Sequence, residues 1–254
     1  SPITNIYSAY LKDKQGQLYI DHVRGVYNVM KRVKANYPNV PMMLCSGGGA
    51  RCDYEALKYF TEFWCSDNTD PVERIYIQWG FSQFFPAKAM DAHVTSWNKA
   101  TSIKFRTDVA SMCKLGFDIG LKELTADELT YCQTAVANWK RLQNAIMDGD
   151  QYRLVSPYEG NHMALNYVSK DTNKAVLFAY DIHPRFQEKL MAVKLQGLDP
   201  NKQYKVEEIN LMPAATSGLV ANGKVYSGDY LMKVGLEVFG LGQTQSRVIE
   251  LTAQ

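Results

Sequence analysis

The 254-residue sequence lacks features that would assign it to several classes of protein. No segment approaches the roughly 20 consecutive apolar residues of a membrane-spanning helix, and no basic-then-apolar leader opens the chain. The 28 basic and 26 acidic residues leave a net charge of only +2, which is no electrostatic footprint for nucleic acid or an anionic membrane surface. We therefore expect a soluble protein of the cytoplasm or periplasm, with no nucleic-acid or membrane partner.

Metal-ligand spacing is also missing. The five cysteines are odd in number and include no C-x-x-C pair, and the four histidines are scattered. We therefore expect neither a complete disulfide framework nor a metal site, and we expect reduced thiols packed in the fold. The cysteines are at positions 45, 52, 65, 113 and 132, and the histidines at 22, 93, 162 and 183.

Aromatic residues are plentiful, with 16 Tyr, 10 Phe and 4 Trp. Their flat apolar faces with polar rims suit sugar rings, although packing in cores and interfaces explains them equally well. At roughly 150 residues per domain the length corresponds to one or two domains. A complete (β/α)₈ barrel of about 250 residues would also fit this length.

The pattern before Asp150 alternates between short apolar runs and helical periodicity. A helix is predicted at 17–35, a helical turn merging into an apolar run at 71–81, and a helix after the capping box of Thr125 and Glu128. Short strands are predicted at 42–45, 63–65 and 90–94. This alternation predicts a parallel sheet with covering helices.

From Tyr152 onward the pattern changes to short strands separated by turn residues. The polar stretch 169–174 predicts a hairpin, and we expect a small antiparallel β-sandwich. The strands are predicted at 164–168, 175–180, 193–195, 204–209, 224–226, 236–239 and 247–251.

The segment 45–51, C-S-G-G-G-A-R, follows the first predicted strand. Three glycines remove side-chain bulk, so a ligand can approach the backbone closely. The G-K-[ST] ending of a Walker A loop and the spacing of a dinucleotide fingerprint are both absent. Cys45 is either a nucleophile or a thiol packed beneath a ligand, and a plain tight turn explains the glycines equally well.

The segment 64–70, W-C-S-D-N-T-D, follows the next predicted strand. Trp64 offers a stacking face, and a carboxylate at a strand end suits a general acid. We interpret Asp70 as the cap of the helix that follows it. Asp67 lies closer to the strand and is the better functional candidate, with a structural role about as probable on spacing alone.

Other candidates are weaker. His93 ends an apolar run and is more simply a hydrogen-bonded core histidine than part of a site. Asp53 is more simply a helix cap than a catalyst. The basic stretch 31–34 is most simply a solvated helix face.

The two segments, and others in the same order, resemble glycoside hydrolase family 36. The matching stretches are C-S-G-G-G-A-R at 45–51, W-C-S-D-N-T-D at 64–70, E-R-I-Y-I-Q-W-G at 73–80, A-H-V-T at 92–95, Y-R-L-V-S-P-Y-E-G at 152–160, Y-S-G-D-Y-L-M at 226–232 and Q-S-R at 245–247. The family contains retaining α-galactosidases, α-N-acetylgalactosaminidases and raffinose-type transglycosylases. The resemblance covers essentially the whole chain.

The resemblance implies strands five to eight of a (β/α)₈ barrel at 1–149, followed by an antiparallel β-sandwich domain at 150–254. It places the 78–80 stretch and His93 on strands seven and eight. It makes Asp67 the general acid/base and requires no cofactor. The implied substrate-binding residues are Cys45, Ser46, Gly47, Gly48 and Trp64.

The nucleophile of that family is an Asp in a K-W-D motif, which does not occur in this sequence. In the family the motif lies just before the stretch that resembles residues 1–5. The resemblance therefore implies that the nucleophile and the first half of the barrel precede this chain. We expect the segment alone to be inactive, with the N-terminal half of the same enzyme and a second copy of the protein as its partners.

The activity implied is hydrolysis of terminal α-linked galactose from oligosaccharides of the melibiose and raffinose type. An α-N-acetylgalactosaminidase and a transglycosylase remain alternatives. A non-catalytic sugar-binding module and a thiol hydrolase acting through Cys45 are alternatives of other classes.

Overall fold

The computed structural model describes residues 6–254. It divides into two compact units, Ser1–Asp67 and Asn68–Gln254, and each is described by itself. No helix within the described residues is long and apolar enough to cross a lipid bilayer.

The first unit contains one long helix and two short parallel strands. Helix α1 spans Gln15–Asn36, which confirms the helix predicted at 17–35, and Pro38 follows just after its end. Strands β1 (Met43–Leu44) and β2 (Glu62–Trp64) pair in parallel, with Leu44 opposite Phe63. The carboxyl ends of the two strands therefore meet at one edge.

Helix α1 has no fully buried residue. Leu18, Val26 and Met30 on its predicted apolar face are half-buried. Ile20, Val23 and Val29 are about half exposed, at 49%, 48% and 49%. Within residues 6–67 the helix therefore uses only part of its apolar surface.

The second unit begins with three helices and two parallel strands. The elements are α2 (Pro71–Phe81), β3 (Met90–Thr95), α3 (Ile103–Ala110), β4 (Lys114–Asp118) and α4 (Ala126–Asp148). Strands β3 and β4 pair in parallel from Asp91 opposite Lys114 to Thr95 opposite Asp118. The capping box of Thr125 and Glu128 is present and confirms the predicted start of α4.

Two placements predicted for this part are wrong. The 78–80 stretch lies within α2 rather than on a strand, because Asp70 caps the helix and Pro71 occupies its first turn. His93 lies on β3, and β4 follows it, so His93 is on the penultimate parallel strand and not the last. The periodicity of the sequence predicts neither α3 nor β4.

The rest of the second unit is a six-stranded antiparallel sheet. Its spatial order is β5-β6-β7-β10-β8-β9, and the short helix α5 (Gly228–Lys233) follows β9. The strands are β5 (Asp150–Val155), β6 (His162–Val168), β7 (Lys174–Asp181), β8 (Gln203–Ile209), β9 (Val225–Ser227) and β10 (Gln245–Ala253). The predicted hairpin between β6 and β7 is confirmed, with Ser169 N donating to Lys174 O at 2.8 Å.

Both faces of this sheet are covered. On one face the Tyr167 hydroxyl donates to Met112 O and the Tyr180 hydroxyl donates to Asp108 O, each at 2.8 Å. The other face packs on Val193, Leu236 and neighbouring apolar residues. Where strands were predicted at 193–195 and 236–239, the structure has one β-bridge between Val193 and Leu236, so loops form most of that second layer.

Candidate active site

The glycine-rich turn after β1 lies directly against the segment that follows β2. Gly47 and Gly48 have positive φ angles of 61° and 78°, and Ser46 N donates to Gly48 O at 2.9 Å. A Cβ atom on Gly48 would lie 2.7 Å from Ser66 Cα and 3.1 Å from Asp67 N. A glycine is therefore required here both by the backbone angle and by the space.

Asp67 lies at the centre of a small polar cluster at the strand ends. Trp64 Nε1 donates to Asp67 Oδ1 at 3.0 Å, and Cys45 Sγ lies 3.8 Å from the same oxygen. Asp67 and Cys45 are exposed and Trp64 is half-buried. The structure thus brings together three residues that the sequence predicted as site residues from two separate segments.

The predicted substrate-binding residues of the turn differ in accessibility. Cys45 and Gly47 are exposed, whereas Ser46 and Gly48 are buried. The Ser46 side chain is 3% exposed, and its hydroxyl has no hydrogen-bond partner within residues 6–254. Ser46 and Gly48 therefore form the buried side of the turn, and they support its exposed residues.

Asp70 is a helix cap, as predicted. The helix expected after Asp53 is only a 3-10 turn at Ala56–Lys58, whose N-cap is Glu55, so the prediction for Asp53 is wrong. Asp70 Oδ1 accepts from Val72 N at 2.9 Å and from Glu73 N at 3.1 Å. Asp53 Oδ1 accepts from Ala56 N at 2.8 Å, and Asp53 Oδ2 accepts from the Tyr27 hydroxyl. Burial, and then the Asp53 carboxylate, raises the pKa of Tyr27, so this pair holds the loop and is no proton donor near neutral pH.

The five thiols are all free, and only Cys45 is exposed. Burial, followed by the Asp53 carboxylate, raises the pKa of Cys52 to about 11. The hydrogen-bond partner of Cys45 Sγ among the described residues is Asp67. A nucleophilic thiol is usually activated by a neighbouring base such as histidine, so this geometry does not favour the thiol hydrolase.

Two of the three histidines of the second unit, His93 and His162, pack in the fold, whereas His183 is exposed. A Cβ on Gly116 would lie 2.2 Å from His93 Cδ2, and burial lowers the pKa of His93 against the opposing effect of Asp118. His162 Nδ1 lies 2.6 Å from Asp181 Oδ1 on the neighbouring strand. Residues 6–254 contain no group of three or more His, Cys, Asp or Glu arranged to hold a metal ion.

Models of known protein families match most of the chain. The melibiase family model matches residues 1–149, and the model of the glycosyl hydrolase family 36 C-terminal domain matches residues 162–251. The chain belongs to glycosyl hydrolase family 36. The family resemblance of the sequence motifs is thereby confirmed.

Family 36 relatives are about one third identical to this chain over the aligned residues. Alpha-galactosidase AgaA of Geobacillus stearothermophilus is 32% identical over 234 residues, covering 90% of this chain and 30% of that protein. Alpha-galactosidase 2 of Hypocrea jecorina is 33% identical over 239 residues, covering 92% of this chain and 30% of that protein. The chain therefore spans about 30% of the length of these curated relatives.

Solved family 36 structures contain the same arrangement of elements. The crystal structure of alpha-galactosidase AgaB of G. stearothermophilus matches with a TM-score of 0.88 and 32% identity, covering 99% of this chain and 34% of that chain. This confirms a parallel α/β part of the catalytic domain followed by an antiparallel β domain. Crystal structures of AgaA variants contain raffinose in one case and stachyose in another.

One contact of the site could not be predicted from the sequence. The segment C-S-G-G-G-A-R does not indicate that Gly48 closely approaches the Ser66–Asp67 backbone. A positive φ at a strand end could be expected from the glycines, but the contact depends on the pairing of β1 with β2.

Proposed function

We propose that this chain is the C-terminal portion of a retaining α-galactosidase that removes terminal α-linked galactose from raffinose-type oligosaccharides. The observation that carries the proposal is the cluster of Asp67, Trp64 and Cys45 at the ends of two parallel strands. The names of the family 36 relatives, and the raffinose and stachyose in AgaA structures, support the substrate class.

Asp67 is the general acid/base of the proposed reaction. A second carboxylate attacks the anomeric carbon and the glycosidic oxygen leaves, taking a proton from Asp67. Asp67 then removes a proton from the water that hydrolyses the glycosyl-enzyme. Retaining enzymes hold the two carboxyl groups about 5–5.5 Å apart. We assign the second carboxylate to a K-W-D motif in the part of the polypeptide preceding residue 1.

The neighbours of Asp67 have separate roles in the proposal. Trp64 fixes the carboxylate through Nε1 and offers its ring to the sugar. Cys45 and Gly47 are exposed and contact galactose, while Ser46 and Gly48 hold the turn beneath them. No cofactor enters this mechanism.

The proposed partner of residues 1–149 is the N-terminal half of the same enzyme. Within the described residues β1 pairs only with β2, and β4 pairs only with β3. Each of these two strands therefore has one unpaired edge. Strands with an unpaired edge are normally covered or paired. We assign the remaining strands of a (β/α)₈ barrel to these edges. We take residues 150–254 as the C-terminal antiparallel β-sandwich domain and expect the whole enzyme to be a homo-oligomer.

The proposal is tested in the longer polypeptide that contains this chain. Asp67→Asn should reduce raffinose hydrolysis by about 10²–10⁴-fold, the usual contribution of a positioned acid/base. Asp70→Asn is the matched control, because asparagine also caps helices and should leave the rate nearly unchanged. Equal rates for the two variants would exclude Asp67 from the chemistry.

The same assay separates the alternative activities. Release of N-acetylgalactosamine in preference to galactose would favour the α-N-acetylgalactosaminidase, and transfer to a second sugar in preference to water would favour the transglycosylase. Binding of raffinose without any turnover would favour the non-catalytic sugar-binding module.

A further inference from the structure

The segment that precedes helix α1, residues 6–14, carries two tyrosines whose rings are open to solvent. We call this segment the α1 loop. Tyr10 is 96% exposed and Tyr7 is 75% exposed. Tyrosine is usually at least partly buried, so two such rings close together in one loop favour a surface that another molecule covers.

The backbone of the α1 loop is held in place, although its tyrosines are exposed. Gln15 Oε1 accepts from Ser8 N at 3.0 Å, and Gln15 Nε2 donates to Ser8 O and to Lys12 O, each at 2.8 Å. Leu11 N donates to Ser8 O at 3.1 Å, which closes a turn with Tyr10 in its third position. A ring on a backbone that is already ordered loses less conformational freedom when it binds a ligand.

The direction of α1 places this loop at the end of the first unit where the carboxyl ends of β1 and β2 lie. The C-terminal end of α1 leads back to the start of β1 through a turn in which Val40 N donates to Tyr37 O at 3.2 Å. Midway along α1, His22 and Tyr27 line one pocket with Leu44, the last residue of β1. The turns of α1 before His22 therefore extend past the carboxyl end of β1.

That end of a parallel α/β fold is where ligands bind, and the candidate active site lies there too. Raffinose-type oligosaccharides carry further sugar rings beyond the terminal galactose. The residues around Asp67 were assigned to that galactose alone. The face of a tyrosine ring is apolar and its rim carries a hydroxyl, which suits stacking on a sugar ring that is itself apolar on its face and polar at its edge.

We propose that Tyr10 and Tyr7 bind the leaving-group sugars of the substrate by stacking, and that they thereby favour oligosaccharides over galactose alone. The inference rests on the proposed function and extends it from the galactose that is cleaved off to the part of the substrate that leaves. The two tyrosines take no part in bond making or breaking. Because the contact is present both before and during cleavage, it lowers KM and leaves kcat unchanged.

The test compares raffinose hydrolysis with inhibition by D-galactose in the longer polypeptide that contains this chain. Tyr10→Ala should raise KM for raffinose by about five- to tenfold at unchanged kcat, because one aromatic stacking contact is lost. The inhibition constant of D-galactose, which fills only the galactose position, should stay the same. Tyr10→Phe keeps the ring and should keep KM within about twofold of the wild-type value. Tyr7→Ala should raise KM in the same direction as Tyr10→Ala.

Tyr37→Ala is the matched control, because Tyr37 is 62% exposed and lies at the opposite end of α1. It should leave the raffinose KM and the galactose inhibition constant at their wild-type values. A raffinose KM in Tyr10→Ala equal to that in Tyr37→Ala would overturn the inference. Equal rises in the raffinose KM and the galactose inhibition constant would also overturn it, since the loop would then act on the galactose position.

The same measurements separate failure of this inference from failure of the proposed function. No hydrolysis of raffinose by the wild-type enzyme would overturn the proposed function, and this inference with it. Hydrolysis that Asp67→Asn abolishes, together with an unchanged KM in Tyr10→Ala, would overturn only the role of the α1 loop.

Discussion

Gly48 is the residue that holds the glycine-rich turn against the segment carrying Asp67. Its φ of 78° and the 2.7 Å from its Cβ position to Ser66 Cα leave no room for a side chain. A methyl group there must push the turn and the Ser66–Asp67 backbone apart. In the proposed mechanism, this shift moves a carboxylate whose position relative to the sugar governs the rate.

The prediction is that Gly48→Ala lowers kcat for raffinose in the longer polypeptide by about 10²-fold, since a misplacement of about 1 Å can cost that much. Gly25→Ala is the control. Gly25 lies in α1 with nothing within 4 Å of its Cβ position, so the change should keep the activity and stabilise the fold by about 1 kcal/mol. Full activity in Gly48→Ala would show that the turn does not position Asp67.

Cys45 is the exposed thiol of the five, and it lies beside Asp67. We predict that iodoacetamide at pH 8 alkylates Cys45 first and that galactose slows the reaction. Cys52 should react far more slowly, because a thiol with a pKa of about 11 is almost entirely protonated at that pH. Peptide mass mapping with and without galactose measures both rates, and Cys45→Ser is the control. Labelling of Cys45 that galactose leaves unchanged would place the sugar elsewhere.

At the scale of elements, Asp108 in α3 joins the helical part of the second unit to its antiparallel sheet. Its side chain is fully buried, and it accepts from the Tyr131 hydroxyl at 2.9 Å, from Asn210 Nδ2 at 3.0 Å and from the Ser246 hydroxyl at 2.7 Å. Lys104 Nζ lies 2.5 Å from the same carboxylate. A buried charge with this many partners stabilises the fold only while all of them are present.

We predict that Asp108→Ala lowers the free energy of unfolding by about 3–5 kcal/mol, because it leaves several buried donors unpaired. Asp148→Ala removes the exposed ion pair with Lys88 and should cost less than about 1 kcal/mol. Urea unfolding of both variants, followed by circular dichroism, compares the two. Similar losses would mean that the buried network contributes little.

Local signals predicted some elements well. The Thr125–Glu128 capping box and the Asp70 cap involve only residues that are close together in the sequence. The sequence alone therefore indicates where α4 and α2 begin. The sequence does not predict strand β4, because its five residues include Gly116 and form no apolar run. In the structure these residues are only half-buried or exposed. Its existence depends on pairing with β3.

The candidate site shows the same division. Adjacent parallel strands put the segments after β1 and β2 at one edge, so the sequence could predict that Cys45, Trp64 and Asp67 lie together. It could not predict that Ser46 and Gly48 are buried, because burial follows from the close approach of Gly48 to Ser66.

At the scale of the whole molecule, the chain spans about 30% of the length of its curated family 36 relatives. The proposed mechanism needs two carboxylates, and only Asp67 is assigned within residues 1–254. We therefore predict that the purified 254-residue chain does not hydrolyse an aryl α-galactoside, whereas the longer polypeptide does. Circular dichroism of the chain checks that it is folded. Turnover by the folded chain would show that another of its carboxylates acts as nucleophile.

The role of Asp67 is tested most directly by the dependence of the rate on the leaving group. A general acid matters most when the departing oxygen is a poor leaving group, so Asp67→Ala in the longer polypeptide should lose far more activity on raffinose than on an aryl α-galactoside with an acidic phenol. We predict a loss of about 10²-fold or more on raffinose and a much smaller loss in the aryl galactoside's glycosylation step. Equal losses on the two substrates would contradict the assignment of Asp67 as the acid.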